Sequence, residues 1–268
     1  MGDRERIIEG LADTWASVAD LCRGLDDSDW DRATGCPGWT VKDHLAHLLG
    51  TEHMLAGHPA APPLAEPHGA HVRNDIAKFN EAEVEARRAT PGGEVLAEFE
   101  ALAAQRLAAL RAMSDEDFTK EAMTPVGPGT YERFMGIRVF DSWIHEQDLR
   151  RALGRPGHLE GPAVDIALEH MLPSLGRTVG KKAGAPEGST VVLELTGPIS
   201  RRVGVGVQGG RAAVLPEPPP DPTATVTLDS EAFVALACGR SDADPSSVRV
   251  SGDEALGRKV AENLAFTF

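Results

Sequence analysis

The sequence predicts a helical domain followed by a smaller α+β domain. Apolar residues recur at helical spacing through residues 3–153, whereas after residue 190 the apolar runs alternate or are β-branched. With 268 residues, the chain is long enough for about two domains. The turn-forming segment "GRPGHLEGP" follows the last strongly periodic helix, so we expect domains at 1–155 and 156–268.

The first half is expected to hold helices separated by loops. The "TVKD" start at Thr40 resembles a capping box, because Asp43 follows three residues after a threonine. Loops are predicted where proline, glycine and small polar residues concentrate, at 58–70 and 114–129. The expected helices are 3–25, 40–57, 71–89, 94–113 and 130–153.

The second half changes to strand patterns. One helix is expected at 161–180, then β-branched runs, then a helix starting at Asp229 or Ser230 and ending at Gly239. A short strand at 247–252 and a helix at 253–266 complete the predicted domain. The other expected strands are 190–197, 201–207, 211–216 and 224–229.

Charge and composition limit the possible partners. A net charge of −14 argues against a nucleic-acid partner, which needs a basic surface. No apolar run approaches the roughly 20 residues that span a bilayer, so no membrane partner is expected. Three scattered cysteines indicate free thiols, and we expect a cytoplasmic protein. The choice between a monomer and a homodimer stays open.

The helix containing "RVFDSWIHEQDLRRALG" places ionisable side chains in its apolar stripe. Burying charge is costly unless it is paired or bound to a metal. An exposed pair, a buried ion-pair network and a metal site therefore all remain open. The ionisable residues on this stripe are Arg138, Asp141, His145 and Asp148, and their apolar neighbours are Phe134, Ile137, Ile144, Leu149 and Ala152.

Asp141 and His145 have the spacing of two ligands that grip one ion from a single helix. A third ligand is available in "DHLAHLL", where His44 and His47 compete. The helical wheel alone favours His44, which lies nearer the leucine stripe. Glu52 also falls on that stripe and could orient a ligand or form an ion pair at the helix end.

Two segments carry a resemblance to a known family. "CPGWTVKDHLAHLLGTE" at 36–52 and "RVFDSWIHEQDLRRALG" at 138–154 resemble the mycothiol-dependent maleylpyruvate isomerase family. The resemblance extends to "ATVTLDSEAFVALACGRSD" and "VRVSGDEALG" near the C-terminus. It implies a DinB-like, four-helix-type bundle followed by a sterol-carrier-like α+β domain.

The resemblance also implies a set of metal ligands. The family's first ligand is the histidine eight residues after the tryptophan, here His47 after Trp39. The other two correspond to Asp141 and His145, with Arg138, Asp148, Glu52 and His44 as candidates to support ligands or substrate. The family carries glutamate where this chain has Asp141, one methylene shorter. This difference widens the expected activity beyond the family's own substrate.

The implied chemistry uses a divalent metal, with zinc as the first expectation, although such a site also accepts iron, nickel or manganese. Mycothiol, a small thiol of actinobacteria, is the implied co-substrate. Its metal-bound thiolate would attack a small electrophile in a transferase or isomerase reaction. Two alternatives remain: a hydrolase that uses metal-bound water, and a non-catalytic protein that binds a ligand.

Overall fold

The computed structural model describes residues 2–64 and 69–266. The chain divides into two compact units, Met1–Ala167 and Leu168–Phe268. The first unit is helical and the second combines a sheet with helices, which confirms the predicted fold class. Residues 65–68, part of the loop predicted at 58–70, lie outside the described residues.

The first unit is built on long helices, and short elements connect them. The helices are α1 Asp3–Cys22, α2 Asp27–Trp30, α3 Val41–Leu55, α4 Asp75–Glu85, α5 Gly92–Ala112, α6 Asp115–Thr119 and α7 Tyr131–Leu153. Strands β1 Glu121–Thr124 and β2 Gly127–Thr130 pair in an antiparallel hairpin before α7. Helix α1 packs against α7, and α3 packs against α4 and α5.

The prediction of a plain loop at 114–129 was wrong. Ser114 starts α6, because its hydroxyl accepts a hydrogen bond from the Asp117 amide. The hairpin turn is closed by the Thr124 hydroxyl, which donates to the Gly127 carbonyl at 2.7 Å. Strands of only four residues, of which β2 contains two glycines and a proline, give no periodic signal in the sequence.

The start of α3 confirms the predicted capping box. The Thr40 amide donates to Asp43 Oδ2 at 2.9 Å, and the Asp43 amide lies 3.4 Å from Thr40 Oγ1. Upstream, Thr40 pairs with Ala33 in an isolated β-bridge, and the Thr34 amide donates to the Trp39 carbonyl. These bonds fold the segment before α3 back on itself and fix the position of Trp39.

The second unit contains a five-stranded sheet in the order β5-β4-β3-β6-β7. Strands β3 and β6 are parallel, and the remaining pairs are antiparallel. The strands, β3 Thr190–Thr196, β4 Arg201–Gln208, β5 Arg211–Val214, β6 Ala224–Asp229 and β7 Arg249–Gly252, confirm the predicted strand positions. Helix α8, Pro162–Met171, runs across the boundary between the units, and the helices that follow it are α9 Ser174–Arg177, α10 Ser230–Ala237 and α11 Glu254–Glu262.

The prediction of a single helix at 161–180 was wrong. The segment forms α8, then α9, then a π-helical turn at Thr178–Lys182. Pro173 stands between α8 and α9, and a proline cannot donate the amide hydrogen that a continuous helix needs. Of the two predicted starts of α10, Asp229 is the cap, because its carboxylate accepts from the Glu231 amide at 2.8 Å.

Among the helices of residues 2–64 and 69–266, none has both the length and the apolar content required to cross a membrane.

Candidate metal centre

Helices α3 and α7 bring the three predicted ligands together. His47 comes from α3, while Asp141 and His145 lie one turn apart on α7. His47 Nε2 lies 3.2 Å from Asp141 Oδ2, and His145 Nε2 lies 3.5 Å from Asp141 Oδ1. Ligand atoms of all three residues fall within 4.8 Å of one another. The carboxylate therefore stands between two imidazoles from different helices.

These distances fit a metal ion. Tetrahedral zinc has bonds of about 2.0–2.2 Å to histidine nitrogen and carboxylate oxygen, which places neighbouring ligand atoms about 3.3–3.5 Å apart. The two separations, 3.2 Å to Oδ2 and 3.5 Å to Oδ1 of Asp141, lie within about 0.1 Å of that range, and each involves a different oxygen of the carboxylate. Two imidazoles with one carboxylate also leave a coordination position for a substrate or a thiol.

The cluster is buried but not sealed. The side chain of His47 is 3% exposed and that of His145 10% exposed, whereas the Asp141 side chain is 28% exposed. A small molecule would therefore approach from the side of Asp141. The Nδ1 atom of His47 is buried and makes no hydrogen bond within the described part of the chain.

The second nitrogen of His145 faces a different set of partners. Its Nδ1 lies 3.4 Å from Asp148 Oδ2 and 2.9 Å from His44 Nδ1. A carboxylate at this place orients a metal-binding imidazole and fixes which nitrogen carries the proton. Asp148 is itself held by Arg151, whose Nη2 donates to Oδ1 at 2.6 Å.

His44 is also part of the cluster, so both candidates for the third ligand reach His145. His44, His145 and Asp148 form a second group whose ligand atoms lie within 4.8 Å. His44 Nε2 lies 2.9 Å from Thr34 Oγ1, in the segment before α3. His47 instead shares the more exposed Asp141 carboxylate with His145. The choice of His47 as the ligand stays a prediction.

A buried chain of ion pairs leads away from Asp141. We call Arg106, Glu52, Arg138 and Asp141 the ion-pair chain. Glu52 accepts from Arg138 Nε and from Arg106 Nε, both at 2.9 Å, and Arg138 Nη1 bonds Asp141 Oδ2. The side chains of Glu52 and Arg138 are almost fully buried. The predicted alternative of a buried ion-pair network is thus present beside the candidate metal ligands.

The pKa values of the three proposed ligands are shifted in different directions. Burial lowers the pKa of His47, in spite of the nearby Asp141 carboxylate. Burial also acts to lower the pKa of His145, but Asp141 and Asp148 outweigh it and raise that pKa. Although burial opposes its ionisation, the Asp141 carboxyl has a pKa well below its usual range, because Arg138, His47 and His145 stabilise the carboxylate. Asp141 is therefore ionised at neutral pH.

Trp39, the tryptophan eight residues before His47, contacts the imidazoles directly. Its ring centroid lies 5.1 Å from that of His47, 5.4 Å from His44 and 5.7 Å from His145. Its indole Nε1–H donates to the buried carboxylate of Glu81 at 2.9 Å. Sequence reasoning missed Glu81, Thr34 and Arg106, because none of them belongs to a motif.

The comparisons with known proteins agree with this architecture. The family model "Mycothiol maleylpyruvate isomerase N-terminal domain" matches residues 11–150, and the model "MDMPI C-terminal domain" matches residues 163–258. Two solved structures share the fold: a crystal structure of the mycothiol-dependent maleylpyruvate isomerase and one of a histidine-to-alanine mutant of it. Each is 20% identical and covers 94% of this chain and 93% of its own, with TM-scores of 0.57 and 0.56. No curated protein matches the chain.

The fold and the cluster together define a protein of two compact units with a histidine–carboxylate centre inside a helical bundle. Because the two family models cover most of its length, the chain belongs to the mycothiol-dependent maleylpyruvate isomerase family. It is an enzyme of that family.

Proposed function

We propose that His47, Asp141 and His145 hold one divalent metal ion, zinc in the first place, and that the enzyme uses it with mycothiol on a small electrophile. The observation that carries the proposal is the convergence of three ligand atoms from α3 and α7 within 4.8 Å. The two oxygens of Asp141 lie 3.2 and 3.5 Å from the imidazole nitrogens, close to the roughly 3.4 Å between neighbouring ligands of tetrahedral zinc.

A metal ion at this centre supplies a Lewis acid that lowers the pKa of a bound thiol and holds it as a nucleophile. The residues around it prepare that position. Asp148 orients His145 through Nδ1, and Arg138 restricts the Asp141 carboxylate through Oδ2. The two imidazoles are buried and exclude water from their part of the centre. The thiol and the electrophile therefore meet beside Asp141, the most exposed of the three ligands.

The first chemical step is addition of the thiolate sulfur to a conjugated double bond of the electrophile. In an isomerase the former double bond, now a carbon–carbon single bond, rotates. The C–S bond then breaks, the double bond forms again, and the thiol is released unchanged. In a transferase a proton is taken up and the C–S bond remains. Both reactions begin with the same nucleophile, so the centre supports either, while the family membership favours isomerisation.

Product analysis tests this function and separates the alternatives. The zinc-loaded protein is incubated with maleylpyruvate, the substrate in the relatives' names, or with another conjugated small electrophile. Isomerisation requires mycothiol and leaves the mass of the substrate unchanged, whereas transfer adds the mass of the thiol. Turnover that is equally fast without any thiol would contradict the proposal and indicate the hydrolase alternative.

A matched set of variants assigns any turnover to the centre. Asp141→Asn keeps the size of the side chain but removes its charge, and we expect it to lose both metal and turnover. Asp141→Glu restores the family's acid, so it should retain the metal. If Asp141→Asn turns over as fast as the wild type, the proposed ligand set is wrong.

A further inference from the structure

Glu81 is a buried carboxylate outside the proposed ligand set. It lies on α4 and is 1% exposed, so its charge has been removed from water. Its partners compensate for that cost. Oε2 accepts from Trp39 Nε1–H at 2.9 Å and lies 3.1 Å from His71 Nε2, while Arg88 Nη2 donates to Oε1 at 2.8 Å.

The position of Glu81 depends on the close approach of α3 and α4. Gly50 on α3 has no side chain, and a Cβ built there would lie only 2.5 Å from Glu83 Cβ on α4. The glycine therefore lets α4 pack tightly on α3, which brings Glu81 to the indole of Trp39. The two residues are 42 positions apart in the sequence.

Trp39 connects Glu81 to the centre. Its ring packs against the imidazoles of His44, His47 and His145 with centroid distances of 5.1–5.7 Å, within the range of favourable aromatic contacts. The Trp39 side chain is buried, so it covers these imidazoles on one side. The hydrogen bond to Glu81 fixes the ring, because an indole has only this one donor.

We infer that Glu81 is a positioning residue of the metal centre, which acts on His47 and His145 through the Trp39 indole. The inference rests on the proposed function, since it concerns the imidazoles proposed to bind the metal. A tethered ring limits the rotation of the imidazoles, so the bare protein already holds them near their binding orientation. Loss of the hydrogen bond between Trp39 and Glu81 should therefore weaken metal binding roughly 10-fold or more, as does the loss of other residues that orient metal ligands.

The test compares Glu81→Ala with Glu83→Ala. Glu83 serves as the control: it lies on the same helix, is 2% exposed and pairs with Arg87, and its replacement by alanine keeps the Cβ at the contact with Gly50. Zinc affinity is measured by competition with a chromophoric chelator, and the indole Nε1–H resonance of Trp39 is followed by NMR in the metal-free protein. Circular dichroism establishes that each variant is folded.

We expect Glu81→Ala to weaken zinc binding about 10-fold and to shift the Trp39 resonance, with Glu83→Ala close to the wild type. Trp39→Phe removes the donor and leaves the Glu81 side chain with its other partners, so it should reproduce the loss even if Glu81→Ala does not fold. Combining Trp39→Phe with Glu81→Ala should cause no further loss of zinc affinity, because each variant already removes the hydrogen bond between Trp39 and Glu81. Glu81→Gln keeps an acceptor and should recover part of the affinity.

Four results would overturn the inference. An unchanged zinc affinity in Glu81→Ala, with a shifted indole resonance, overturns the positioning role and leaves the proposed function intact. Equal losses in Glu81→Ala and Glu83→Ala, or additive losses with Trp39→Phe, assign the effect to general destabilisation. A wild-type protein that binds no zinc overturns the proposed function and this inference with it.

Discussion

His47 Nε2 on α3 lies 3.2 Å from Asp141 Oδ2 on α7, although the two residues are 94 positions apart. The pair joins two helices of the bundle at one carboxylate. His145 completes the cluster from the next turn of α7. A charge-bearing stripe on α7 is therefore explained by its partner helix, which presents an imidazole to it.

We expect Asp148→Asn to move the pH dependence of metal binding to lower pH. A metal ion and a proton compete for His145, so affinity falls as the pH drops through the raised pKa of that residue. Asp148 is one cause of the raised pKa, and its replacement by asparagine removes that contribution. The measurement is zinc affinity from about pH 5 to about pH 8, the range in which histidine titrates.

At the upper end of that range, Asp148→Asn should still bind zinc about 10-fold more weakly, because His145 loses its orienting carboxylate. Asp13→Asn, an exposed carboxylate on α1, serves as the control and should leave the profile unchanged. If the midpoint pH of the zinc-affinity profile is unchanged or higher in Asp148→Asn, this role for Asp148 is contradicted.

Breaking the ion-pair chain at Arg106 should destabilise the fold. Arg106→Met leaves Glu52 buried with only Arg138 as its partner, and removing one member of a buried pair costs about 3 kcal/mol or more. The free energy of unfolding is measured by urea denaturation. Arg111→Met, an exposed site on the same helix, should change it by no more than about 0.5 kcal/mol. Equal free energies of unfolding for the two variants would show that the ion-pair chain does not stabilise the fold.

The two glycines that begin α5 should respond in opposite directions to alanine. A Cβ at Gly92 would lie 2.3 Å from the ring of Trp30, whereas a Cβ at Gly93 meets nothing within 4 Å. Gly92→Ala should therefore destabilise the protein by about 1–3 kcal/mol through overpacking. Gly93→Ala should stabilise it by about 0.5–1 kcal/mol, the helix preference of alanine. Thermal denaturation of both variants tests the contact, and a stabilising Gly92→Ala would contradict it.

Much of the fold is determined by residues close together in the sequence, so sequence patterns predict it. Helices such as α1 and α7 repeat apolar residues over many turns, and the Thr40–Asp43 capping box marks the start of α3 correctly. The short hairpin at 121–130 is invisible to such patterns. Its strands depend on a turn closed by Thr124 and on packing against α7.

The candidate centre is predicted only in part for the same reason. The spacing of Asp141 and His145 is local, and α7 buries Arg138 and Asp148 as the stripe predicts. Periodicity could not separate His44 from His47, because both imidazoles are buried and both reach His145. Glu81 could not be found at all, since its role depends on the packing of α4 against α3.

The central claim is tested most directly by the metal content of the purified protein. Elemental analysis is applied to the wild type and to His47→Ala, Asp141→Ala and His145→Ala, each supplied with zinc and shown by circular dichroism to be folded. We expect about one ion per chain in the wild type and its loss in all three variants, as a site with three protein ligands requires. Full occupancy in His145→Ala, or no metal in the wild type, would contradict the metal centre and leave a bundle held together by buried ion pairs.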